Sequence, residues 1–175
     1  MAAKKILPFG HPVLRQKAQA VTKLNEGLFR LLDEMKETLY AAEGRAGLAA
    51  PQIGIAKRVI VMDCGNGLIE LINPEILKMT GEQIGPEACL SLPGYTGIVK
   101  RAQYVKIKSL TRQGKELLLE GEDFLARCMQ HEIEHLDGVL YIDHIQDGLL
   151  FKDETKQKAD LREILRISQG RSSAE

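Results

Sequence analysis

The chain carries no excess of charge of either sign, with 24 Lys and Arg against 24 Asp and Glu, and no long block of like charge. Nucleic acid and membrane surfaces are therefore not favoured as partners, and small-molecule or peptide chemistry is. No run approaches the length of a transmembrane helix, and Met1 to Ile6 is too short and too charged for a signal peptide. A soluble, cytoplasmic protein is expected. Cysteine is scarce and odd in number, at positions 64, 89 and 128. Reduced thiols rather than a disulfide framework follow, and at least one is free to bind metal. Internal repeats and low-complexity segments are also missing. The 175 residues match one domain with a substantial core, so residues 1–175 are read as a single catalytic domain with a frayed tail after about residue 168.

What is present is concentrated in Gln130-His131-Glu132-Ile133-Glu134-His135-Leu136. On a helix, positions four apart share a face, so His131 and His135 can reach one metal ion. Glu132 then sits beside the metal, placed to move a proton between water and a leaving group. The competing reading is a pair of half-buried core histidines, but the flanks favour a helix. Asp123 is a candidate start cap and Gly138 a stop. Phe124, Cys128, His131, Glu132, His135 and Val139 fall on one stripe, which turns the metal face inward across an apolar pocket.

Around this motif the periodicities outline an α+β protein. Ile6 to Val21 reads as an extended arm. Leu28, Leu31, Leu32, Met35 and Leu39 recur at helical spacing between Asn25 and Ala42, predicting a long N-terminal amphipathic helix. Arg58 to Asp63 and Ile69 to Asn73 predict strands joined by a Gly-containing turn, and Tyr104 to Leu110 with Glu116 to Glu120 predict a hairpin. Leu161, Ile164 and Leu165 mark a short C-terminal helix. The expected architecture is a mainly antiparallel or mixed sheet folded around the central HExxH helix.

A catalytic metal usually takes three protein ligands and keeps one position open. Cys128 lies on the right face, but a metal between His131 and His135 sits about 7 Å farther along the axis at about 1.5 Å rise per residue. Helical side chains also point toward the N-terminus, away from that metal. Cys128 is better placed as a pocket wall. Cys64 reads as an apolar filler, and His11 and His144 as solvated side chains. Cys89 falls between Pro86 and Pro93, in a segment read as a rigid loop rather than a regular strand. Residue type and spacing leave it open as the third ligand.

Three segments together resemble the peptide deformylase family. They are Gly47-Leu48-Ala49-Ala50-Pro51-Gln52, Glu87-Ala88-Cys89-Leu90-Ser91 and the His131 motif, in matching order and spacing. Weaker echoes at Pro12 to Arg15 and in a stretch from Arg101 to Lys108 read as a strand extend the similarity. The resemblance implies hydrolysis of the formyl group from the initiator methionine of nascent chains, releasing formate. It further implies Cys89, His131 and His135 as metal ligands, Glu132 as general acid and base, and Gln52 with the Leu90 N–H as oxyanion donors. Ala46, Gly47 and Ala88 would border the substrate beside Cys128. The implied ion is Fe²⁺, with Ni²⁺, Co²⁺ or Zn²⁺ as substitutes. The implied partners are the formylmethionyl peptide and, transiently, the ribosome. Arg45 stands where the family usually has Gly, Ala46 where a larger aliphatic is common, Ala88 where it has Gly, and Glu134 where it has Asp. A small HExxH metallopeptidase is a second reading, and a non-catalytic metal-stabilised module for peptide N-termini is a third. The upstream Cys disfavours the former, and the latter has no need of Glu132 or Gln52.

Overall fold

The structure, a computed structural model, describes residues 2–170. Helix α1 (Glu26–Tyr40) starts where the Asn25 side chain accepts the Leu28 N–H at 3.0 Å. Its buried stripe is Leu28, Leu31, Leu32, Met35 and Leu39. Strands β1 (Gly47–Ala49), β2 (Val59–Met62) and β3 (Ile69–Thr80) follow, each pairing antiparallel with the next. The chain then leaves for a hairpin of β4 (Gln83–Cys89) and β5 (Leu92–Arg101) before returning as β6 (Tyr104–Leu110) and β7 (Glu116–Glu122). Helix α2 (Asp123–His135), β8 (Leu150–Lys152) and α3 (Leu161–Ser168) complete the order.

The strands form a five-stranded sheet in the order β1-β2-β3-β6-β7 and a three-stranded one in the order β4-β5-β8. Alternation along β2 explains the layering. Val59 and Val61 point to one face and pack with the apolar stripe of α1, while Ile60 and Met62 point to the other and pack with Ala126, Met129 and Ile133 of α2. The large sheet therefore separates the two long helices. The small sheet packs with the N-terminal arm and α3 around Phe9, Leu14, Val99, Tyr141, Leu150 and Leu161. Backbone bonds tie the arm down, from the Leu7 N–H to Gln52 O and from the Phe9 N–H to Ser91 O. The α+β class, the antiparallel pairing and the central motif helix are as the sequence predicts.

Four local expectations change. Pro86 does not exclude a strand, because β4 lies at the edge of its sheet, where a missing N–H costs no ladder bond. Cys89 thus ends a strand rather than sitting in a free loop. Asp123 does not cap α2: it is the first helical residue, at φ 53°, and its carboxylate accepts from Gln103 instead. Phe124 is largely exposed rather than buried, although it still borders the pocket with Cys128, His131 and Glu132. Finally, the stretch from Arg101 to Lys108 is not one strand, since the chain crosses between sheets at Ala102 and Gln103. The expected frayed tail falls mainly on residues 171–175, outside the described part.

Candidate metal centre

From Ala126 to Ile133 every residue of α2 is buried, so its polar side chains must find partners inside the protein. His131 and His135 share one face, with ring centroids 5.1 Å apart. The edge strand β4 delivers Cys89 to the same point, its Sγ 3.3 Å from His135 Nε2. One donor atom from each of Cys89, His131 and His135 lies within 4.8 Å of the others, and all three residues are buried. A thiolate with two imidazoles matches the three-ligand pattern of catalytic metal sites. Cys128, three residues before His131, is not among them; it lines the pocket, as the geometry of the helix predicts.

Behind His131 lies a network of charges. Glu87 Oε2 meets His131 Nδ1 at 2.7 Å, which orients the ring and leaves its other nitrogen for the site. Arg101 makes a forked pair to both oxygens of Glu87, at 3.0 and 2.6 Å, and Arg127 adds a bond of 3.0 Å to Oε1. Burial alone would raise the Glu87 carboxyl, but the bonds from His131 and Arg101 hold it far below the ordinary carboxylate range. Burial likewise works against a charged His131, and its contacts with Cys89 and Glu87 overcome that and raise it; His135, with burial dominant, is pushed well down.

Glu132 occupies the pocket side of the same helix. Its Oε2 is buried and has no hydrogen-bond partner in the protein, and burial pushes its carboxyl up to about 7. Gly47 explains how it fits: a Cβ there would lie 2.7 Å from Glu132 Oε1, so only glycine lets β1 approach. Gln52 is fixed from both ends. Its Oε1 accepts the Ala49 N–H at 2.9 Å, and its Nε2 points at Ser91 Oγ and Cys89 Sγ, at 3.2 and 3.6 Å. Leu90 follows Cys89 in the turn between β4 and β5.

The pocket over these groups has a volume of about 580 Å³. Ala46, Gly47, Ala88, Leu90, Cys128 and Glu132 all line it. Every site residue expected from the sequence is therefore at this pocket or directly beneath it. Glu87, Arg101 and Arg127 were not foreseen; arginine at helix and strand positions reads as solvent-facing until the buried carboxylate between them is seen.

A buried carboxylate next to two imidazoles and a thiolate defines the metallohydrolase class. The sequence profile of polypeptide deformylase matches residues 3–149. The chain is 52% identical over 147 residues to the peptide deformylase of Heliobacterium modesticaldum, covering 84% of this chain and 97% of that one. Against the peptide deformylase of Thermoanaerobacter pseudethanolicus it is 49% identical over 164 residues, covering 94% and 100%. The crystal structure of peptide deformylase from Thermotoga maritima aligns with a TM-score of 0.81 at 43% identity, covering 83% of this chain and 99% of that one. The chain belongs to the polypeptide deformylase family, metal-dependent hydrolases that remove the N-formyl group from formylmethionyl peptides. Among the described residues, no helix is long and apolar enough to cross a membrane.

Proposed function

We propose that Cys89, His131 and His135 hold one divalent ion, that Glu132 is the general acid and base, and that Gln52 and the Leu90 N–H stabilise the oxyanion. The observation that carries this reading is the convergence of three buried donors, an unpartnered carboxylate oxygen and an amide aimed at the Cys89 sulfur. A divalent ion held there would supply Lewis acidity and make a water more acidic for attack on the formyl carbon. Glu132 takes the proton of that water and returns it to the departing amine. Gln52 Nε2 and the Leu90 N–H donate to the oxygen on which charge develops, and Gln52 is held for this by Ala49. The products are formate and a free N-terminal methionine. Methionine enters the apolar part of the pocket along Cys128, while Ala46, Gly47 and Ala88 flank the peptide.

The resident ion is proposed to be Fe²⁺. A thiolate donates more charge than an imidazole, so zinc in this donor set is a weak activator of water. Fe²⁺ beside a thiolate is open to oxidation, and Cys89 with it. Protein prepared in air should lose activity irreversibly, the Ni²⁺ form should not, and the Zn²⁺ form should be weak throughout. Since the substrate is a nascent chain, the proposed location is the cytoplasm with transient contact to the ribosome. The decisive assay is formate release from formyl-Met-Ala compared with cleavage of casein. Formate release without casein cleavage supports deformylation, and casein cleavage would point to an endopeptidase instead.

A further inference from the structure

The charge network behind His131 does not stop at Glu87. Arg101 reaches on to Glu134, Nη1 to Oε2 at 2.9 Å, and Glu134 in turn meets His144 Nε2 at 2.8 and 3.0 Å. Side-chain exposure rises along this path, from 5% and 3% at Glu87 and Arg101 to 25% at Glu134 and 37% at His144. A titratable ring in contact with water is thereby joined to a proposed metal ligand through contacts of 2.9 Å or less. Arg101, Glu134 and His144 line a second cleft, about 630 Å³ in volume, whose lining shares none of the residues of the substrate pocket. The catalytic steps above make no use of it. His144, expected to be simply solvated, is paired.

We propose that Glu134 and His144 are positioning residues for the metal centre, His144 setting through Glu134 and Arg101 how firmly Glu87 holds His131. This rests on the reading of Cys89, His131 and His135 as the ligands. Arg101 divides its hydrogen bonds between two carboxylates. When His144 is neutral, Glu134 offsets the charge of Arg101, and Glu87 remains a strong acceptor for the His131 Nδ1–H. A strong acceptor there makes the other nitrogen a better ligand. When His144 is protonated it takes up the charge of Glu134. Arg101 then acts on Glu87 unopposed, and His131 becomes a poorer ligand. The groups facing His144 are Glu134 of α2, Arg101 of β5 and Asp143 beside it in the chain; Lys100 and Glu82 at the cleft rim pair with each other at 2.6 Å. The hydrogen bond to Glu134 raises the His144 pKa, which puts its titration at and above that of a free imidazole.

The test is the rate at which Ni²⁺-loaded protein loses its ion to a chelator at about pH 6, below the free imidazole value, and at about pH 8.5, well above it. His144→Gln keeps a hydrogen bond to Glu134 but cannot be protonated. It should lose nickel roughly two- to fivefold more slowly than wild type at the acid end and at the same rate at the alkaline end. That effect is smaller than the roughly 10–100-fold seen for direct partners of ligands, as a more distant group requires. Glu134→Gln, which leaves Arg101 unopposed at every pH, should lose nickel faster than wild type at the alkaline end and at the wild-type rate at the acid end, and Glu134→Asp, which keeps the charge, should restore wild-type behaviour. A role confined to stability predicts the opposite for His144→Gln, faster loss at acid pH where the ion pair is strongest. Equal or faster loss by His144→Gln at the acid end would overturn the proposal alone. A wild-type chain that takes up no nickel would overturn the ligand assignment as well.

Discussion

On the pocket side of α2, Glu132 Oε2 is buried without a hydrogen-bond partner, whereas behind His131 both oxygens of Glu87 are bonded by Arg101, Arg127 and His131. An unsatisfied buried polar group costs about 1–3 kcal/mol, so a carboxylate oxygen left this way at the edge of a pocket is a candidate for chemistry. The saturated side has a different task. It fixes the His131 ring by hydrogen bonds that a merely apolar packing would not supply. Neighbouring residues of one helix thus divide into a carboxylate left unpaired, Glu132, and a ring held still, His131.

If that division is real, the largest effect should come from the thiolate that joins the two sides. Cys89→Ala should lose the bound metal on dialysis and with it all turnover, while Cys128→Ala should keep the metal; equal losses in the two variants would remove the argument for Cys89. Next in size is Glu87→Gln. Breaking a buried ion pair by removing one partner costs about 3–5 kcal/mol, because Arg101 and Arg127 stay buried without their charge partner. The Glu87 pKa is lowered in the folded protein, so its stabilisation is fully present above the unfolded value near 4.3 and is lost as pH falls below it. Chemical denaturation across the acid range should therefore show a flatter stability profile in Glu87→Gln than in wild type.

Gly47→Ala tests the reactive side without touching a titratable group. The added methyl meets the Glu132 carboxylate, and a displacement of about 1 Å in a catalytic group can lower turnover about 10²-fold. Metal content should be unchanged, which separates this variant from Cys89→Ala. The smallest effect belongs to His144. Its pKa is raised by Glu134, so the pair stabilises the fold fully below the unfolded imidazole value near 6.5, and that contribution fades as pH rises through the folded value. His144→Gln should remove this slope from thermal unfolding midpoints measured across neutral pH.

Legibility in the sequence followed the distance over which each feature is encoded. The motif helix, α1 and the strand pairs β2–β3 and β6–β7 are local patterns, and periodicity alone places them. The hairpin of β4 and β5 was hidden because Pro86 and Pro93 read as breakers, and only the sheet order shows that β4 is an edge. Asp123 has the residue type of a cap but a left-handed backbone that carries it away from the helix N–H groups. Cys89 meets His135 across 46 residues, so residue type left it undecided and resemblance to a family singled it out. Arg101 and Arg127 pair with Glu87 across 14 and 40 residues, and nothing local distinguishes them from surface arginines.

Glu132 carries the central claim, since it alone is assigned proton transfer without coordination. The direct measurement is metal content and formate release on the same preparation of Glu132→Ala, with formyl-Met-Ala as substrate. One equivalent of metal per chain should be retained, with turnover down by at least the roughly 10²- to 10⁴-fold that a general acid and base contributes. Near-normal formate release, or metal lost together with activity, would contradict the division of labour on which the account rests.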